Sequence, residues 1–173
     1  VRAGSRSDTL HPRGLDPEVR ALIESAQPDL TYEEFDAVRR AALADALVWR
    51  TSLGVDRDPI GLGIERNVIR HHPVPTHVRL AEGGSVASLV RVVAAAMLVR
   101  APLTISTGEL LPQGIAAYLE QRDVEVSLER DDAWLERLAV AGPVSADGRV
   151  ALRVRLIDGN RTQAVEWLGR QDH

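Results

Sequence analysis

Glu82-Gly83-Gly84-Ser85 has the residue types of a phosphate cradle. Small residues let backbone N–H groups approach an anion, and a helix opening at Ser85 would add its positive end. Against this, only two glycines are present, Glu82 carries the wrong charge, and a tight turn accounts for Gly83-Gly84. Gly61-Leu62-Gly63-Ile64-Glu65-Arg66 begins like a dinucleotide fingerprint, but Arg66 holds the third glycine position. The residues after it, Asn67-Val68-Ile69-Arg70, read as extended rather than helical, so a structural loop is expected there. Ser106-Thr107-Gly108-Glu109 follows a short apolar strand, at the edge where parallel sheets hold ligands, and Thr107 is expected to cap the next turn.

The remaining candidates are titratable groups. His71 and His72 are adjacent and His77 follows, but neighbours in an extended segment point to opposite faces. No Cys or carboxylate pattern completes a tetrahedral set, and His11 and His173 fall in predicted tails, so no metal site is expected. Glu129, Asp131 and Asp132 precede a helix, where carboxylates favour the positive end of the helix dipole; capping is expected in preference to acid–base work. Glu65, Arg66, Asn67 and Arg70 are polar residues in an apolar stretch, expected to form an ion pair within the fold or at an interface. No nucleophile, base and orienting group fall into a set, so no catalytic, cofactor-binding or metal residue is assigned.

Composition narrows the chemistry further. The chain has no Cys, which removes disulfides, thiolate metal sites and cysteine nucleophiles. Every basic residue other than His is Arg, which removes a Schiff-base lysine and the P-loop lysine. A net charge of −4, a pI near 5.7 and 3% aromatics argue against a dedicated nucleic-acid binder. The 45% apolar and 27% charged residues are those of a globular domain. The longest apolar stretch, Val86–Val99, contains Arg91 and is too short to cross a membrane. Val1-Arg2 opens no apolar leader, and a cytoplasmic location is expected.

The elements that would position these groups are legible as punctuation and period. Residues 1–15 read as a linker. Asp16-Pro17 opens a helix over Val19, Leu22 and Ile23 that ends at Pro28. Thr31-Tyr32-Glu33-Glu34 is a capping box before a stripe of Phe35, Val38, Ala42, Leu43, Ala46, Leu47 and Trp49, with Gly54 as the stop. This helical pair is free to pack on something beyond the domain. After a stretch broken by Pro59, Gly61, Gly63, Pro73 and Pro75, with a short strand expected over Ile64–Ile69, the pattern alternates. Strands are expected at His77–Ala81, Leu103–Ser106, Val124–Leu128 and Val150–Ile157. Helices are expected from Ser85 to Val99, Pro112 to Gln121, Asp131 to Val140, and Asn160 or Thr162 to Trp167. The expectation is therefore a linker and two helices over 1–53, then a Rossmann-like α/β domain over 54–173, with an open, mostly parallel sheet and flanking helices.

Residues 54–107 carry a family resemblance. Gly63-Ile64-Glu65-Arg66-Asn67-Val68-Ile69-Arg70, then His72-Pro73, then the strand–helix unit Val78–Ala101 resemble the C-terminal region of bacterial, particularly actinobacterial, 1-pyrroline-5-carboxylate dehydrogenases and long proline utilization A proteins. Asp131-Asp132-Ala133-Trp134-Leu135 and Arg153-Val154-Arg155-Leu156-Ile157 continue it, and Ala42–Trp49 is similar to the helix that joins the catalytic module to this region. The resemblance implies a parent enzyme of the aldehyde dehydrogenase superfamily that oxidises glutamate γ-semialdehyde with NAD in proline catabolism. It also implies that this region is a Rossmann-type domain without catalytic or cofactor residues, which covers the active-site region and helps assembly. The catalytic cysteine of the family has no counterpart here. A start without Met, and a stop at Gln171-Asp172-His173 where the family region continues with another strand, are expected of a piece of a longer enzyme.

The sequence therefore points first to a non-catalytic docking domain. Its expected partner is the catalytic module of a dehydrogenase, with self-association also open and neither nucleic acid nor membrane involved. NAD would belong to the parent module. Two alternatives remain: a nucleotide-binding module using Glu82–Ser85, and an independent enzyme using carboxylates such as Asp131 and Asp132.

Overall fold

The computed structural model describes residues 14–58, 68–141 and 153–169. The Gly61–Gly63 loop, Glu65, Arg66, Asn67, most of the strand expected over Ile64–Ile69, and the terminal His11 and His173 lie outside the described residues.

Helix α1 (Pro17–Ala26) opens as its punctuation requires. Pro17 takes the first position, and Asp16 Oδ1 accepts the Glu18 N–H at 2.9 Å. A 3₁₀ turn holding Pro28 follows, and then α2 (Tyr32–Val48). Its capping box is reciprocal: the Glu34 N–H donates to Thr31 Oγ1 at 3.2 Å, and the Thr31 N–H donates to Glu34 Oε2 at 2.9 Å. A wider π turn over Trp49–Leu53 carries the chain to Gly54, whose N–H donates to the Trp49 carbonyl at 2.7 Å. Val38, Ala42, Leu43 and Ala46 of the expected stripe are buried, whereas Leu47 stands exposed. One residue on from Ala46 is about 100° further round a helix, which takes Leu47 off the buried face.

The rest of the chain alternates strand and helix: β1 (Thr76–Leu80), α3 (Val86–Leu98), β2 (Leu103–Thr107), α4 (Gln113–Glu120), β3 (Glu125–Leu128), α5 (Asp131–Ala141), β4 (Arg153–Ile157) and α6 (Arg161–Gly169). The four strands form one parallel sheet in the order β3-β2-β1-β4, with flanking helices, a Rossmann-like α/β arrangement. The chain steps outward from β1 to β2 to β3, then returns past β1 to lay β4 on the far side. The direction of winding therefore reverses between β1 and β4, the place where open parallel sheets leave a crevice at their carboxyl ends.

Register decides what each face presents. Val78 lies beside Ile105, and Leu80 lies between Thr107 and Ile157. This face meets α3 and α4, with α1 and α2 packed behind them, in one core that includes Leu22, Leu89, Val90, Ile115 and Leu119. The two N-terminal helices thus bury their apolar stripes on the sheet domain itself. The opposite face carries His77 beside Thr104 and Val154, and Arg79 beside Ser106 and Leu156. Trp134, Leu135 and Leu138 of α5 and Ala164 of α6 cover it, packed on Val154 and Leu156.

Candidate functional site

The loops after the four strands meet at the carboxyl edge of the sheet, and each brings a carboxylate. The turn Ala81–Ser85, between β1 and α3, lies at the switch point. Gly83 adopts φ +69°, a conformation that favours glycine. Gly108 allows the neighbouring loop to come close, since a Cβ there would stand 2.7 Å from the Glu82 nitrogen. Ser85 caps α3 by accepting the Ser88 N–H at 3.1 Å on its hydroxyl.

Every backbone N–H of Glu82–Ser85 is already taken. The Glu82 N–H lies 3.3 Å from both oxygens of Asp131. The Gly83 N–H donates to Glu109 Oε1 at 3.0 Å, the Gly84 N–H to the Ala81 carbonyl at 3.0 Å, and the Ser85 N–H to Asp158 Oδ2 at 2.8 Å. The donors that would cradle a phosphate in such a turn are therefore satisfied by the protein's own carboxylates. A phosphate entering here would have to displace three of them and would meet a ring of like charge. The location is that of a nucleotide site; the electrostatics are the reverse of one.

Behind this edge lies a buried polar network. Arg79, next to the carboxyl end of β1, is fully buried. Its guanidinium donates to Ser106 Oγ at 2.6 Å, to the Glu129 carbonyl at 3.0 Å and to Asp131 Oδ1 at 2.5 Å, and it lies 5.5 Å from the centre of the Trp134 ring. Its Nε–H has no hydrogen-bond partner among the described residues. Asp131 is about half exposed, so the pair couples a buried cation to a carboxylate at the rim. His77 sits one step back along the same face. Its Nδ1 is 2.9 Å from Thr104 Oγ1, and the Trp134 indole N–H points to its Nε2 at 3.2 Å. Because Nε2 accepts, the ring is neutral. Burial lowers the His77 pKa to about 4, helped by the positive charge of Arg137 and Arg79 and opposed by Glu129. Glu129 takes two hydrogen bonds from Arg137, at 3.0 and 2.6 Å. Burial by itself would raise its carboxyl pKa, but the bonds from Arg137 and Ser106 and the nearby positive charges hold it below the usual value.

Several expectations meet a definite placement. Asp131 and Asp132 lie in the first turn of α5, where the helix dipole favours carboxylates; Asp131 is also the counter-ion of Arg79 and a lid on the Glu82 amide, and Asp132 accepts the Ala133 N–H at 2.8 Å. Thr107 is buried at the end of β2; α4 begins behind Pro112 with no side-chain cap, so the expected Thr107 cap is corrected. His71 bonds to the Leu53 carbonyl at 3.0 Å, His72 is exposed, and His77 is buried away from both. Among the described residues, no group of three or more His or carboxylate side chains is placed to hold a metal ion. Arg70 pairs with Asp56 at 2.8 Å in the open rather than inside the fold. Among the described residues, no helix is long and apolar enough to cross a membrane.

Sequence reasoning missed Arg79 as a site residue, and it missed the buried network in which Arg79, His77 and Trp134 meet. A signal was present: a strand buried on both faces should read as an unbroken apolar run, whereas Thr76-His77-Val78-Arg79-Leu80 and Leu103-Thr104-Ile105-Ser106-Thr107 alternate. Comparison with family models, with curated proteins and with solved structures returned no match.

Proposed function

We propose that this chain is a non-catalytic α/β docking domain, of the kind its sequence resemblance implies for the C-terminal region of 1-pyrroline-5-carboxylate dehydrogenases. The observation that carries this reading is the occupation of the Glu82, Gly83 and Ser85 amides by Asp131, Glu109 and Asp158. A fold whose usual phosphate turn is filled by its own carboxylates has the shape of a dinucleotide domain with the anion-binding chemistry removed. The titratable groups behind the turn support the same reading. Arg79 and His77 are consumed in holding α5 on the sheet, and neither is presented to a cleft. In a parent dehydrogenase such a domain would bury surface on the catalytic module and keep water from a reactive aldehyde or imine. That work requires shape and apolar area, not a reactive group.

The test is calorimetric titration of the folded chain with NAD, alongside an assay for NADH formation from glutamate γ-semialdehyde. The expected result is no saturable heat at millimolar NAD and no turnover. Saturable micromolar binding, or turnover by the pure chain, would overturn the reading. The second reading, a nucleotide site at the same turn, is favoured only by its position at the β1/β4 switch. It predicts NAD-dependent protection of the amides of Glu82–Ser85 from hydrogen exchange.

A further inference from the structure

The two ends of the sheet differ in charge. The carboxyl edge gathers Glu82, Glu109, Asp131 and Asp158. On the apolar-facing side of β4, at the other end, Arg153 and Arg155 stand exposed, and neither makes an ion pair or a side-chain hydrogen bond among the described residues. These two arginines are two residues apart on one strand, so their Cα atoms are about 7 Å apart and project to the same face. They form one wall of a groove of about 640 Å³ whose other wall is α3. Arg91 of α3 faces into it, held loosely by Asp45 at 3.3 Å, and Val92 and Val99 supply an apolar floor. Asp45 is the one carboxylate lining the groove among the described residues. On a chain of net charge −4, a groove with three arginines and one acid is a local reversal of sign. Among the described residues β4 ends the sheet, paired with β1 on one side.

The plain role of charge on an edge strand is to block unwanted pairing with another strand. That role needs no groove, no third arginine on a facing helix and no apolar floor between them. An open groove with a basic strand on one side and the apolar residues and one arginine of α3 on the other matches a chain whose side chains alternate, because successive residues of an extended segment point to opposite sides. Nucleic acid fits less well: the chain is acidic overall, and among the described residues no Phe, Tyr or Trp lines the groove, His72 being its one ring.

We propose that the groove between α3 and β4 binds an extended acidic peptide segment, with carboxylates at alternate positions meeting Arg153 and Arg155 and the intervening apolar side chains lying on Val92 and Val99. This rests on the reading of the chain as a docking domain and names the surface and the chemistry of the segment it takes. Arg153 and Arg155, which make no ion pair among the described residues, can each form a two-pronged bond with a carboxylate, the strongest geometry available to the pair.

The experiment is fluorescence anisotropy of a labelled Glu-Val-Glu-Val-Glu-Val peptide titrated with the whole chain. Binding is expected at 0.1 M salt. It should weaken roughly tenfold or more in the R153Q/R155Q variant. It should also fall at 1 M salt, where the screening length drops from about 10 Å to about 3 Å. The R161Q variant, altered at an exposed arginine outside the groove, should bind as the parent does, and circular dichroism shows whether each variant is folded. Absence of binding, equal binding by R153Q/R155Q, an equal loss in R161Q, or tighter binding of a single-stranded oligonucleotide than of the peptide would each overturn the proposal. NAD titration of the same sample separates the two readings. NAD binding overturns the docking domain, whereas peptide failure without NAD binding overturns the groove alone.

Discussion

The two faces of the sheet are built on different physics. The face under α3 and α4 is closed by aliphatic side chains such as Val78, Ile105, Leu89 and Val90. Such contacts are non-directional, and their strength follows the area removed from water. The face under α5 holds His77, Arg79, Thr104 and Ser106, matched to Trp134, Asp131 and the Glu129 carbonyl by bonds of fixed direction. An aliphatic face tolerates small shifts of the helix above it; a hydrogen-bonded one does not. The polar face therefore does for α5 what the apolar face does for α3, with less area and more geometric constraint. It also carries a liability, because a buried cation or imidazole becomes costly once its partner is lost.

The comparison can be broken from the aliphatic side first. Leu89→Ala, at a fully buried position, should destabilise the fold by about 4 kcal/mol, read from the urea midpoint, because it loses burial and leaves a cavity. On the polar side, Arg79→Ala should cost somewhat less, about 3 kcal/mol, because Asp131 at the rim can rehydrate while Ser106 stays buried. Replacing the whole group together, as Arg79→Leu with Ser106→Ala and Asp131→Asn, should recover most of that loss. A triple variant no more stable than Arg79→Ala would mean that the network itself, not the orphaned partners, supplies the stability.

Acid sharpens the same contrast. His77 is buried neutral with a folded pKa of about 4 against an ordinary 6.5. Between those values the unfolded chain binds more protons than the folded one, so stability falls as pH drops from 6.5 to 4 and His77 adds nothing further below that. The expected loss is roughly 2–3 kcal/mol across that window. Glu129, whose carboxyl is held low, loses its contribution only below about pH 4.5, so the two windows are separable. In His77→Leu the decline between pH 6.5 and 4.5 should flatten, and an unchanged slope would mean that another group titrates there. The smallest effect lies away from both faces: Thr31→Ala removes one partner of the capping box and should cost about 1 kcal/mol in thermal denaturation.

Much of the fold was legible in particular residues. Asp16-Pro17, Thr31 with Glu34, Ser85 and Gly54 act on backbone groups within a few positions of themselves, so reading them requires no knowledge of the rest of the chain. Alternation of strand and helix was enough for a Rossmann-like parallel sheet. The candidate site was legible only in part. Glu82–Ser85 was recognisable as a turn of the right kind in the right place. That Glu109, Asp131 and Asp158 reach its amides depends on contacts spanning 26, 49 and 73 residues, which no local pattern encodes. The place of Asp131 at the start of α5 was legible, whereas its pairing with Arg79 on the distant β1 was not, for the same reason.

The sequence by itself determined the elements, their order and their class, because capping, turn formation and side-chain period act between near neighbours. It also excluded cysteine and lysine chemistry through composition alone. Only the tertiary structure decided that β4 lies beside β1, that the phosphate-like turn is filled by carboxylates, and that one face of the sheet is a polar network. Each of these depends on which distant strands are brought side by side, and strand order is a property of the packed whole rather than of any segment.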